Sequence, residues 1–157
     1  MTWVLLLAVA LALSFALSGL ESAVIAVSRV RVRHAAGEGD RRAGQLLPLV
    51  EDRDALLGAI TVTNHITNLM AFVIIAWKLV RVSGPWGYFI AFALSLPVFL
   101  ILLEVLPKKL FRRYPYRSLR TLAPLVFTVG LVRPLFRTLN KQAEAASIPD
   151  HSEGRED

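Results

Sequence analysis

Three apolar stretches, each about as long as a bilayer's hydrocarbon core is thick, constrain this chain more than any other feature. The first covers about residues 2–28, the second 55–80 and the third 86–106. At ~1.5 Å per helical residue each can cross a core of ~30 Å, and in lipid only a helix satisfies the backbone amides of so long an apolar run. The expected fold class is an all-α membrane protein with three transmembrane helices, a multi-pass protein of the cell membrane whose first partner is the lipid bilayer. Composition agrees, since 55% of the 157 residues are hydrophobic and mean hydropathy is +0.53, beyond the range of an ordinary soluble domain. The first run begins near Met1, but it is longer than a secretory signal's apolar core. No basic residue precedes it and arginines follow, so a retained span is expected.

The net charge of +6 lies in blocks that flank the spans, which is a topology signal rather than a nucleic-acid footprint. Arg29, Arg31, Arg33, Arg41 and Arg42 follow the first span. Only Lys78 and Arg81 precede the third, and Lys108, Lys109, Arg112, Arg113, Arg117 and Arg120 come after it. This bias puts the amino terminus outside and the carboxyl terminus in the cytoplasm. Trp86 and Tyr88 fit the outer interface, Ser83-Gly84-Pro85 reads as a tight turn, and Leu46, Leu47, Leu49 and Val50 are spaced for a short amphipathic helix.

A fourth apolar segment, 119–139, is interrupted by Pro124, Gly130, Arg133 and Pro134. An arginine near a span's centre costs roughly 2.5 to 3.5 kcal/mol, so an amphipathic juxtamembrane helix is expected there rather than a fourth crossing. Residues 1–140 then form one membrane domain, and 141–157 a polar tail expected to be disordered. The chain has no cysteine, which excludes disulfides, thiolate metal ligands and cysteine-linked haem.

The polar residues inside the spans carry the chemistry. Ser14, Ser18 and Ser22 recur every fourth residue, with Glu21 beside them on the same stripe and Gly19 permitting close backbone approach. Counted from Arg29, Glu21 is about 12 Å deep, too far for its short side chain to reach the interface. In the second span Thr61, Asn64 and Asn68 share a face, with His65 and Thr67 at its borders, and Asn64 is about 15 Å deep counted from Asp54. In the third, Glu104 precedes Pro107 by three residues, and Pro107 lacks the amide that would bond the Leu103 carbonyl. A carboxylate beside a freed carbonyl suits a hard cation. Plain alternatives stand beside each reading: serines and amides as interhelical glue, Glu21 as a protonated acid bonded to a neighbouring helix, His65 as a packing residue, and Glu104 as an interfacial acid paired with Lys108.

These donors are mostly oxygens, which select magnesium, calcium or sodium over zinc or copper. No catalytic triad, phosphate loop or HExxH motif appears, so no enzyme activity and no organic cofactor are expected.

The order of motifs resembles the transmembrane domain of the CNNM/CorC (cyclin M) magnesium-transporter family. Its Ser-Gly-Ser-Glu-Thr-Ala stretch reads here Ser18, Gly19, Leu20, Glu21, Ser22, Ala23, and its following Ser-Arg run reads Ser28, Arg29, Val30, Arg31. Its Gly-Asn-Asn and later Asn correspond to Thr63, Asn64, His65 and Asn68. Its Gly-Glu and Pro-Lys correspond to Leu103, Glu104, Pro107 and Lys108, and Tyr114-Pro115 and Ala123-Pro124 resemble later steps. The resemblance, covering about residues 11–139, implies three spans, a juxtamembrane belt, a homodimer, and a magnesium ion bound as substrate among Ser18, Glu21, Ser22, Asn64, Asn68 and Glu104. Transport or efflux of magnesium, with cobalt as a second cargo, is the implied function. The alternative is a non-transporting subunit or anchor that associates with a full-length relative. Leu20, His65 and Leu103 depart from the pattern, and the His65 imidazole predicts weaker magnesium selectivity and pH-sensitive binding. Relatives usually continue into nucleotide-binding cystathionine-beta-synthase domains; taken as a whole protein, this chain is expected to lack that regulation or to receive it from a partner.

Overall fold

The computed structural model of the protein describes residues 2–134 together with 137, 138 and 142. The tail expected at 141–157, apart from residue 142, and positions 135, 136 and 139 of the juxtamembrane segment lie outside the described residues. Regular structure among the described residues is helical throughout: α1 (Thr2–Ala26), α2 (Arg29–Gly37), α3 (Arg41–Glu51), α4 (Arg53–Ser83), α5 (Trp86–Val98), a π-helical stretch (Phe99–Val105), α6 (Leu106–Arg113), α7 (Pro115–Thr121) and α8 (Ala123–Gly130). Three helices are long and apolar enough to cross a membrane: α1, α4, and the continuous rod Trp86–Arg113 made of α5, the π stretch and α6.

The third rod extends past Leu106, where the sequence pattern suggested an end, and Pro107 does not break it. Pro107 offers no amide to Leu103 and its ring crowds the preceding turn. The helix passes through by widening its bonding pattern, with the Leu106 amide donating to the Ile101 carbonyl five residues back. Pro107 itself is buried.

Lipid tails are as apolar as leucine, so the spans must be held together by close packing and polar contacts rather than by exclusion of water. α1 lays Leu17, Leu20, Ala23 and Val24 against Leu56, Ala59 and Ile60 of α4. Two glycines set the approach of the third rod. A Cβ on Gly19 would lie 2.6 Å from the Phe111 ring of α6, and one on Gly87 would lie 2.4 Å from the Val80 backbone nitrogen of α4. Phe111 also packs edge-on to Phe15 of α1 at 6.2 Å between ring centroids. The turn joining α4 to α5 needs Gly84 at φ +61°, a conformation that costs glycine little. Its carbonyl accepts from the Gly87 amide at 2.9 Å. At this end Lys78 stands over Trp3 and Arg81 over Trp77, while Trp86 and Tyr88 are exposed, as expected of an aromatic belt.

At the opposite, arginine-rich end the short helices form a collar. Arg53, the first residue of α4, donates its guanidinium to the carbonyls of Val24 and Ile25, among the last carbonyls of α1 that have no partner within the helix, and its charge complements the negative end of the helix dipole. Asp40 caps α3 through the amides of Arg42 and Ala43 and accepts from the Tyr116 hydroxyl of α7 at 3.0 Å, with Arg120 at 3.4 Å. Burial alone would raise its pKa, but the hydrogen bonds from Tyr116, Ala43 and Arg42 and the Arg120 charge outweigh that and hold the carboxyl below its ordinary value.

Among the described residues, the juxtamembrane segment begins in the end of α7 and continues through α8, with helical residues again at 133, 134, 137 and 138. α7 buries Leu119, α8 buries Ala123, Val126 and Val129, and the chain bends at Leu122 ahead of Pro124, which cannot continue the hydrogen bonding of α7. Arg133 is not adrift in an apolar helix. It lies 3.6 Å from Asp52 and donates to the Pro48 carbonyl at 2.9 Å.

Candidate cation site

Polar groups converge at mid-height of the bundle. Ser14 sits at the midpoint of α1 and Asn68 at the midpoint of α4, with Asn64 one turn away. The Ser14 hydroxyl lies 3.1 Å from Oδ1 of Asn64 and in closer contact with Oδ1 of Asn68. Ser14 and Asn64 are buried and Asn68 is half-buried. The Ser14 hydroxyl carries one proton and donates it to one of these oxygens at a time, while either amide can turn its NH2 to the hydroxyl oxygen, so the three side chains form one exchangeable polar cluster. One turn along α1, the Ser18 hydroxyl is fully buried and has no hydrogen-bond partner. Leaving such a group unpaired costs about 1 to 3 kcal/mol, which a ligand can offset.

The third rod adds Ser95, a buried hydroxyl likewise without a partner. It lines a groove of about 360 Å³ together with Asn68, Leu69, Phe72, Phe92, Leu96 and Phe99. Nothing in the sequence flagged Ser95, since a lone serine in an apolar helix reads as ordinary packing. Ser14 was visible as part of the serine stripe, yet its place as the hub between the two asparagines depends on which faces of α1 and α4 meet.

The two glutamates lie nearer the arginine-rich end and form a separate group. Lys108 of α6 stands 3.8 Å from Oε2 of Glu21 and 3.0 Å from Oε1 of Glu104. Glu21 is half-buried and Glu104 exposed. The expected site residues therefore fall into three sets. Asn64 and Asn68 meet through Ser14, with buried Ser18 one turn away; Glu21 and Glu104 meet through Lys108; and Ser22 is buried on α1. His65 joins none of them, being exposed with its Nδ1 2.8 Å from the Thr61 carbonyl of its own helix. Among the described residues there is no group of three or more histidine, cysteine, aspartate or glutamate side chains arranged to hold a metal. Any ion here would be held largely by neutral hydroxyl and amide oxygens, a donor set that fits a hard cation and disfavours zinc or copper.

Comparison with known proteins agrees with this architecture. Residues 5–154 match the family described as "Cyclin M transmembrane N-terminal domain". The chain is 33% identical over 127 residues to the "UPF0053 inner membrane protein YfjD" of Escherichia coli (strain K12), an alignment covering 78% of this chain and 29% of that protein. It is 31% identical over 107 residues to a "UPF0053 protein" of Haemophilus influenzae (strain ATCC 51907 / DSM 11121 / KW20 / Rd), covering 68% of this chain and 26% of the relative. The chain thus spans under a third of the length of these curated relatives. With three membrane-length helices and a family match over nearly its whole length, the chain belongs to the cyclin M transmembrane-domain family.

Proposed function

We propose that this chain is a transport protein rather than an enzyme, and that it moves a divalent cation, magnesium foremost and cobalt as a second cargo, across the membrane. The supporting observation is the polar cluster at mid-height: the Ser14 hydroxyl meets the amides of Asn64 and Asn68, and Ser18 one turn away has an orphaned hydroxyl. Neutral oxygens on two helices can replace part of a hydrated ion's shell, and the Glu21 and Glu104 carboxylates concentrate cations at one mouth. The flanking charge bias puts that mouth and the carboxyl terminus in the cytoplasm and the amino terminus outside. Only a small share of the third rod is buried in one protomer, which favours a homodimer that covers part of it.

Flux of magnesium into dye-loaded liposomes carrying the purified chain tests the reading. Uptake above that of empty liposomes, abolished by Asn64→Leu, is expected. Absence of flux, or equal flux in the variant, overturns it. A second reading, a non-transporting membrane subunit that joins a full-length relative, draws on the fact that Ser14 already bonds the amides and Lys108 already pairs the glutamates. It predicts co-purification with such a relative and no flux from the chain alone.

A further inference from the structure

The protein brings a cation of its own to the cytoplasmic mouth. Lys108 and Phe111, three residues apart, share the face of α6 that meets α1; Phe111 fills the space left by Gly19, which places the Lys108 ammonium against Glu21. The same ammonium donates to Glu104 on its own rod. Glu21 lies seven residues from Ser14 along α1, about 10 Å nearer the cytoplasm, so an ion approaching the mid-height oxygens from that side passes the clasp.

Resting on the transport reading above, we propose that Lys108 is a selectivity residue: a tethered monovalent cation that holds the Glu21 and Glu104 carboxylates against sodium and potassium and yields them to divalent ions. A free sodium ion that displaced the ammonium would exchange one positive charge for one. It would gain no Coulomb energy and would compete with a tethered group whose effective concentration is in the millimolar range or above. A divalent ion carries twice the charge to the same two carboxylates and gains on exchange. The geometry allows the exchange: the Lys108 side chain is one-third exposed, and its flexible four-carbon stem lets the ammonium swing into water without moving α6.

Magnesium titration calorimetry on the full chain in nanodiscs, at one ionic strength set by either sodium chloride or N-methylglucamine chloride, tests this. The bulky organic cation screens equally but cannot enter the clasp. Wild type should show the same magnesium affinity in both salts, within about twofold. Lys108→Met should bind magnesium tighter than wild type in the organic salt and lose about fivefold or more in sodium, because free sodium now reaches the carboxylates. Lys108→Gln should do the same if the methionine variant does not fold, and Lys108→Arg should keep the wild-type indifference to sodium. Neutral variants as indifferent to sodium as wild type overturn the proposal alone. A wild-type chain that binds no magnesium in either salt overturns the transport reading with it.

Discussion

The polar residues of the membrane interior and those of the collar are treated in opposite ways. In the collar, Arg33 meets Glu51 at 2.7 Å, Asp40 meets Tyr116 and Arg120, and Asp52, whose buried Oδ2 has no hydrogen bond, still has charge partners in Arg133 at 3.6 Å and Arg137 at 3.8 Å. In the interior, where an unpaired polar group is most costly, the Ser18 and Ser95 hydroxyls have no partner of any kind. A chain selected for stability alone would be expected to show the reverse. The contrast suits the collar to holding the fold, and it is what the proposed ligand role of the interior requires.

The largest expected effect separates the two regions directly. Asn64→Leu should weaken magnesium binding by about tenfold to a hundredfold or more while changing helix association by only ~0.6 kcal/mol. Asp52→Asn should do the opposite, lowering thermal stability by about 1 kcal/mol and leaving binding within about twofold. Calorimetry and melting curves on both variants decide it, and a variant that moved both readouts together would dissolve the distinction. Next in size is Gly19→Ala, which forces a Cβ into the Phe111 ring and should cost about 1 to 3 kcal/mol. Combining it with Phe111→Ala should recover part of that loss, since the two sites touch and their effects should not add.

Much of this was legible in the residues. Length and hydropathy gave the three spans, and the spacings of the serines and of Asn64 and Asn68 marked the faces that meet. What the sequence hid has physical causes. An i to i+5 bonding pattern leaves no signature in hydrophobic spacing, so Phe99–Val105 read as ordinary helix with a break at Pro107. Nothing in the residue pattern singled out Arg53, and only the fold shows that it faces the last carbonyls of a helix nearly thirty residues away. Lys108 was visible as a partner for Glu104 four residues before it, but its second partner, Glu21, is on another helix.

Two smaller effects sharpen the comparison. The Asp40 carboxyl titrates below the ordinary value of about 3.9, so its contribution to stability is complete above that pH and is lost as pH falls through the lowered folded-state pKa. Melting midpoints of wild type and Asp40→Asn should therefore run parallel from about pH 5 to 8 and converge below about pH 4. The smallest effect is expected at His65. Its side chain faces away from Ser14 and bonds its own helix, so His65→Asn should leave the magnesium-to-cobalt preference and its pH dependence unchanged. A shift toward magnesium in that variant would bring the imidazole back into the ion's path, by way of a second protomer.

The π-helical stretch acts as a phase control on the third rod. Each residue of an α-helix turns the chain by about 100°, so one residue more or fewer between Phe99 and Val105 would rotate everything after it by about that angle. Lys108 and Phe111 would swing off α1 together, parting the ammonium from Glu21 and the ring from Gly19 in one step. Substitutions there tune contacts, whereas a single deletion, silent in composition and hydropathy, would re-aim the whole arginine-rich half of the helix.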